Sequence, residues 1–432
     1  MLFKKTLFVL VIILQFNCFS QTKLSRIEKK ILKQVNLNNE EAIIFLEKVV
    51  NINSGTLNKI GVRKVGKVFS SAFDDINFST QWIEMPEAMN RAGHLFAFKN
   101  GSKGKRLLLI GHLDTVFEEN SPFQTFERKD TIAYAPGGND MKGGNVIMLY
   151  ALKALDELNL LNNSYITVAM TGDEESTGKP LSISRKDLIE AAKNSDIALG
   201  FENSTGYNNA TIARRGASGW SVTTTGKRAH SSGIFRESVG AGAIFEMGRI
   251  LDSFYKEVRG EELLTFNPGN LMGGTFVDYD YKKSEGVVFG KTNVIAQIAK
   301  VNGGLRFISK KQKERARDKM SAIIKKSLPN TSATISFTDS YPAMRPTPGN
   351  IKLLKQLSNV SLSLKQGEVV PYDPGKRGAA DVSFVADYVD ALDGLGTMGE
   401  DAHTPQETVN LKTMESLTSR TAIFIYRLIN SK

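Results

Sequence analysis

Leu107-Leu108-Leu109-Ile110-Gly111-His112-Leu113-Asp114-Thr115 is the stretch whose reading decides the fold. From Arg106 to Leu113 the residues form a continuous apolar run, too short for a core helix. Such a run predicts a strand in a sheet covered on both faces. It ends on His112, one of only four histidines in 432 residues, with Asp114 two positions on. In an extended chain these two side chains fall on the same side, so the carboxylate can orient or polarise the imidazole.

Working outward, Tyr165 to Met170 and Asp196 to Phe201 read as further short buried strands, and Asn145 to Leu158 as a helix with Val146, Leu149, Tyr150, Leu152 and Leu155 inward. Alternating strands and helices argue for an α/β sheet, in which ligands collect at the carboxyl ends of strands. Ser25 to Ser71 has helical periodicity, and Asn38-Asn39-Glu40-Glu41 offers a cap and an acidic first turn. Near Gly216 the character changes. Trp220–Gly226 is an alternating strand, Val239–Val258 a helix, Asn293–Ile308 a long strand region, Lys310–Leu328 a helix and Ser332–Phe337 a strand. This β-α-β-β-α-β-like order predicts an inserted α+β domain. After Pro342 the α/β pattern resumes through Val382–Val389 and Val389–Leu395 to a closing helix, Leu411–Leu428. The expected division is residues 1–20 as a signal peptide, 21–215 and 339–432 as one discontinuous catalytic domain, and 216–338 as the insert.

The chain is long enough for two cores, and its 41% apolar and 23% charged residues are those of an ordinary globular protein. Its net charge is +11, of which Lys4 and Lys5 supply two. The remaining basic residues are interleaved with acids, as in Lys310-Lys311-Gln312-Lys313-Glu314-Arg315, so they read as a solvated surface and no nucleic-acid partner is expected. Lys4-Lys5, the apolar Leu7–Leu14 and the small residues Cys18 and Ser20 before Gln21 predict a cleaved secretory signal and hence a periplasmic or secreted protein. Cleavage there would remove Cys18, the single cysteine; its lipidation is the alternative. No later segment is long and apolar enough to span a bilayer.

Four further motifs carry chemistry. Asp140 follows Gly137-Gly138-Asn139 and precedes Lys142-Gly143-Gly144 and a helix, so it either caps that helix or is presented to cations. Glu174-Glu175 follows the strand ending Met170-Thr171-Gly172. Adjacent carboxylates repel unless protons or cations neutralise them. Because neighbouring side chains diverge, one of the two can ligate a metal while the other serves an attacking water. Glu202 ends the strand Ile197–Phe201, and His403 lies in Gly399-Glu400-Asp401-Ala402-His403-Thr404. Each motif alone has a bland reading as an acidic turn or a cap. Together they place carboxylates and imidazoles at strand ends, as a metal-dependent hydrolase requires. His94, before Leu95-Phe96-Ala97, reads as structural.

In this order the motifs Gly111-His112-Leu113-Asp114-Thr115-Val116, Gly138-Asn139-Asp140-Met141-Lys142-Gly143-Gly144 and Gly172-Asp173-Glu174-Glu175 resemble those of the dinuclear zinc exopeptidases and deacylases. That family includes glutamate carboxypeptidase, to which the chain looks most similar, succinyl-diaminopimelate desuccinylase, aminoacylase and tripeptidase. The resemblance, which runs from about Glu40 onward, implies a mixed-sheet α/β catalytic domain with an inserted ferredoxin-like lid that can also form a homodimer. It implies two zinc ions, with cobalt or manganese as substitutes. His112, Asp140 and Glu202 would hold one ion; Asp140, Glu175 and His403 would hold the other. Glu174 would be the general base and Asp114 the partner of His112, with a cis peptide at Asp140-Met141. His230, in Lys227-Arg228-Ala229-His230-Ser231-Ser232, would stabilise the oxyanion, and Asn293 and Arg306 would grip a substrate carboxylate. A small peptide or N-acyl amino acid is then the expected substrate, cleaved in carboxypeptidase fashion. A dipeptidase or aminopeptidase and an inactive peptide-binding relative are the alternatives. A binuclear phosphoesterase would need more histidine. Two stretches depart from the family: Lys376-Arg377-Gly378-Ala379-Ala380-Asp381 gains a basic pair, and Tyr341 stands before Pro342 where glutamate-specific members carry arginine.

Overall fold

The computed structural model describes residues 23–281 and 283–431. The expected signal segment and Cys18 lie outside the described residues.

A six-stranded sheet carries the decisive stretch. Its strands run in the order Ser79–Ile83, His94–Lys99, Ser164–Thr171, Lys103–His112, Ile197–Gly200 and Asp390–Leu392. The first two pairings are antiparallel and the other three parallel, so the sheet is mixed. Both faces of the central strand are covered, as its composition predicts. Leu107 and Leu109 join the large core formed with the helices Arg26–Val50, Gly143–Glu157 and Met414–Ile429, whereas Leu108 and Ile110 join a smaller core with Leu188, Ala192 and Val382–Ala386. Alternation at a period of two is why every residue of the run is apolar. His112 ends one of these parallel strands, and Glu175 and Glu202 lie just past the carboxyl ends of two others.

The second sheet lies within Gly216–Asp339. Thr265–Gly274, Ile298–Phe307, Gly216–Gly226 and Thr331–Asp339 are neighbours in that order and pair antiparallel throughout. The helices Gly242–Glu257 and Lys310–Ile324 pack with it around Trp220, Val222, Phe254, Val301, Leu305 and Met320. This is the ferredoxin-like β-α-β-β-α-β arrangement, with a hairpin, Phe276–Asp280 and Glu285–Phe289, inserted between its second and third strands. The chain then returns through the helix Pro348–Ser363 to add Asp390–Leu392 beside Ile197–Gly200.

Some local expectations are corrected. The N-terminal helical region is two helices, Arg26–Val50 and Lys59–Asp74, broken at Asn51–Asn58. Asn38-Asn39 caps nothing. The helix starts at Ser25, whose hydroxyl and backbone are reciprocally bonded to Glu28, and Asn38 is buried with its amide on Glu157. Asn293 precedes the strand Ile298–Phe307 and sits in a turn. Within the resumed α/β pattern, Val382–Val385 is a short helix and Asp390–Leu392 the strand.

Candidate metal centre

His112 closes its strand and is 1% exposed. The Asn145 amide donates to its carbonyl at 2.6 Å. Its Nδ1 lies 3.0 Å from the Asp114 carbonyl and 3.5 Å from the Asp114 carboxylate. With Nδ1 turned to Asp114, Nε2 faces Asp140 at 3.1 Å and Glu202 at 3.8 Å. Asp114, fully buried, also accepts from the Thr56 hydroxyl at 2.6 Å and from the backbone N–H groups of Glu174 and Glu175 at 3.0 and 3.1 Å. One carboxylate thus ties the imidazole to the acidic pair.

Asp140 is set by a turn that needs glycine: Gly137 has φ of 64°, and a Cβ on Gly144 would stand 1.9 Å from the Phe201 carbonyl oxygen. The Asp140-Met141 peptide is cis, as the resemblance implies. Glu407, which sequence reasoning missed, holds this turn from below. Fully buried, it accepts from the N–H groups of Asn139 at 2.8 Å, Asp140 at 3.1 Å and Gly137 at 3.4 Å. The ribbon Glu127–Lys129, Ile132–Tyr134 and Thr408–Asn410 brings Glu407, and with it the loop bearing His403, to this place.

The two Asp140 oxygens look in different directions. Oδ1 meets His112 Nε2 at 3.1 Å, and Oδ2 meets His403 Nε2 at 3.1 Å, with Glu175 3.4 Å from the same nitrogen of His403. Two groups result, His112 with Asp140 and Glu202 and Asp140 with Glu175 and His403, each with ligand atoms within 4.8 Å of one another. Asp140 is common to both.

Electrostatics shows what these groups lack. Burial, and then Glu202, push the Glu174 carboxyl well above the ordinary carboxylate range. Burial likewise raises Glu175, and burial with Asp140 pushes Glu202 up to about 7. Burial opposes protonation of His112, but its bonds to Asp114 and Asp140 win and raise it well above 6.5. His403 is pushed up to about 11 by its bonds to Asp140 and Glu175. Buried carboxylates and imidazoles that take protons for want of other positive charge are what divalent cations replace. Glu175 Oε1, buried, has no hydrogen-bond partner among the described residues. Imidazole nitrogen with carboxylate oxygen suits zinc, cobalt or manganese. The residues fit a pair of metal ions.

Behind the acidic pair lies a fully buried network. Arg185 bonds Asp173 at 2.5 Å and Asp381 at 2.7 Å, Asp381 accepts from Thr171 at 2.5 Å, and Asp173 accepts from Gly178 N–H and Ser184. His94 joins it as a structural residue. Its Nε2 meets the Ser184 carbonyl at 2.8 Å, its Nδ1 accepts from Gly172 N–H, and burial holds it below 6.5. Tyr341 donates to the Glu174 carbonyl at 2.7 Å, so it braces the acidic pair and does not line the cavity beside that pair.

A cavity of about 280 Å³ opens onto Asp140, Glu174, Glu175, Glu202 and His403, and also onto Asn203, Arg214 and Arg377. Arg214, unremarked in the sequence because it sits among scattered basic residues, pairs with Asp393 at 2.5 Å and stands 3.8 Å from Glu202. His230, Asn293 and Arg306 do not line this cavity. His230 is exposed with Nδ1 on the Ser232 hydroxyl, and it pairs with Val294 beside Asn293. Arg306 is exposed on the second sheet. Arg345 lines a different cavity, with Asp387 and Lys313.

The model of the peptidase family M20/M25/M40 matches residues 108–427. The chain belongs to that family. Carboxypeptidase G2 of Pseudomonas sp. is 26% identical over 84% of this chain and 83% of its own length. Among solved structures, aminopeptidase PepT of Bacillus cereus has a TM-score of 0.73 at 17% identity, over 90% of this chain and 99% of its own. YXEP of Bacillus subtilis, described as a dinuclear metal-binding peptidase of family M20, has a TM-score of 0.65 at 12% identity, over 92% of this chain and 99% of its own. The protein is therefore a metallopeptidase-family hydrolase whose residues gather to hold metal, on the α/β fold of its relatives.

Proposed function

We propose that this chain is an exported two-zinc amidohydrolase that removes a C-terminal residue from small peptides or N-acyl amino acids. The observation that carries the reading is the division of Asp140 between two ligand groups, with Glu174 in the same cavity. His112, Asp140 and Glu202 would hold one ion, and Asp140, Glu175 and His403 the other. When bound, such a pair supplies an acidified water and a Lewis acid for the amide carbonyl.

The chain's own residues do the rest. Glu174, which shares the cavity with both ligand groups, accepts the proton of the attacking water and delivers it to the departing amine nitrogen. Asp114 fixes the backbone of both Glu174 and Glu175 and the ring of His112. Residues 216–338 form the lid and dimerisation domain; 21–215 and 339–432 form the catalytic domain. His230, Asn293 and Arg306 then reach substrate when the lid closes or from a second copy, His230 as an oxyanion donor and the other two as carboxylate ligands. The likeness to carboxypeptidase G2 over most of both chains supports the carboxypeptidase reading over an aminopeptidase.

The test is hydrolysis of N-blocked and free dipeptides by chelator-treated protein before and after zinc is restored, with Glu174→Gln alongside. The reading expects zinc-dependent cleavage of the blocked substrates and a loss of about 10²–10⁴ in kcat for the variant with its metal content unchanged. Cleavage confined to free amino termini would replace it with the aminopeptidase reading. Full turnover in Glu174→Gln would remove Glu174 as the base.

A further inference from the structure

We propose that Arg377 is a specificity-determining residue that receives a carboxylate of the substrate. The inference rests on the hydrolase reading above and adds the chemical class that the pocket selects.

Three observations carry it. Arg377 shares the cavity wall with both ligand groups. Its guanidinium is held in place by neutral acceptors only: Nη1 donates to Asn203 Oδ1 and Nη2 to the Asn203 carbonyl, both at 2.8 Å. Its Nε, buried, meets no acceptor, and among the described residues Arg377 forms no ion pair. The neighbouring arginines differ in this respect. Arg214 is balanced by Asp393, and Arg185 by Asp173 and Asp381. Burial and the charge of Arg214 both disfavour the Arg377 cation, against weaker support from Glu202, Asp393 and Asp140.

Of the two arginines that line the cavity, Arg214 has a carboxylate partner in Asp393, and Arg377 has none among the described residues. A buried charge without a partner is costly, and a rigid, half-satisfied guanidinium is suited to a planar, two-oxygen anion. Peptides and N-acyl amino acids bring carboxylates of three kinds: the α-carboxylate, an acidic side chain of the leaving residue, or an acidic acyl group.

The experiment uses the zinc-loaded full chain and three matched pairs. N-acetyl-alanine is set against its amide, N-acetyl-glutamate against N-acetyl-glutamine, and N-succinyl-alanine against N-succinamoyl-alanine. In the native protein at least one pair should show a kcat/KM preference for the acidic member of about 10- to 100-fold, the worth of one charge-assisted contact. Arg377→Gln should collapse that ratio towards one with zinc content unchanged, while Arg377→Lys keeps part of it; the responding pair identifies the carboxylate. A ratio unmoved by Arg377→Gln, or no acidic preference in any pair, overturns this inference and leaves the hydrolase standing. No hydrolysis of any member, acidic or neutral, overturns the hydrolase reading and this inference with it.

Discussion

Removing the Glu407 side chain should loosen the metal site without touching a ligand. The carboxylate is wholly buried and takes three backbone N–H groups from the Gly137–Asp140 turn, two of them at 2.8 and 3.1 Å and one at 3.4 Å. Burial pushes the Glu407 carboxyl up to about 7, so above that pH its bonds are those of a charged acceptor and contribute about 1.5–3 kcal/mol each, and an N–H left buried without a partner costs about 1–3 kcal/mol. Counting the two short bonds, and allowing water to enter the space left behind, Glu407→Ala should lose about 3 kcal/mol of stability. Glu407→Gln keeps one neutral oxygen for the two short bonds but turns an amide N–H toward Gly137, so its loss should be about 1–2 kcal/mol. Because the same bonds aim Asp140, metal affinity should fall about 10- to 100-fold in the alanine variant. Urea unfolding with chelator gives the first quantity, and competition against a metal indicator gives the second. Glu407→Ala with native stability and native zinc affinity would refute the claim that this carboxylate holds the turn.

Other consequences follow from the same geometry. Asp140→Ala should bind fewer than one zinc per chain, whereas Glu202→Gln should keep about one, as read by metal analysis after dialysis; equal losses in the two would deny Asp140 its shared position. Because His112 and His403 take protons when no cation is present, metal binding near pH 7 should release at least two protons. Calorimetry in buffers of different ionisation enthalpy reads that number, and a value of zero would contradict it. Arg427 stands 2.7 Å from the buried Glu28. Burial raises the Glu28 carboxyl, but the bonds to Arg427 and Ser25 lower it below 4.5. A depressed carboxyl stabilises the fold above its unfolded value and loses that contribution as pH falls through the folded one. Arg427→Met should therefore be less stable than native protein at neutral pH, with the gap closing below about pH 4; a gap independent of pH would argue against the pair.

How legible the molecule is from its sequence depends on the range of the forces at each place. Leu107–Ile110 announces itself because a strand buried on both faces needs no alternation. His112, Glu175 and Glu202 are readable because they sit at or just beyond the ends of buried strands, Asp140 because glycines flank its turn, and His403 because histidines are so few. The second-sheet strand Thr265–Gly274 is hidden, since it contains Asn267-Pro268-Gly269-Asn270, which reads as a turn. It forms as an edge strand, with a register shift between Pro268 and Asn270 that absorbs the proline. Asn38-Asn39 misleads because a capping box thirteen positions earlier had already started the helix. The helix Pro348–Ser363 escaped notice although Thr347 and Pro348 are a fair start signal. Glu407 carries no local pattern, since its partners Asn139 and Asp140 are far away in the chain; Arg377 shows only as half of a basic pair, and its partner Asn203 is equally distant.

The order of ligands along the chain has a consequence for biosynthesis. Asp140 is made early, but one of its two oxygens faces an imidazole that arrives 263 residues later. A nascent polypeptide short of that point offers an ion only a partial claw, so tight capture and completion of the polypeptide become one event. On the proposed ligand assignment, truncated products would be poor scavengers of scarce metal, and a full-length molecule that has not yet closed its last ribbon would lack one of its two ion sites.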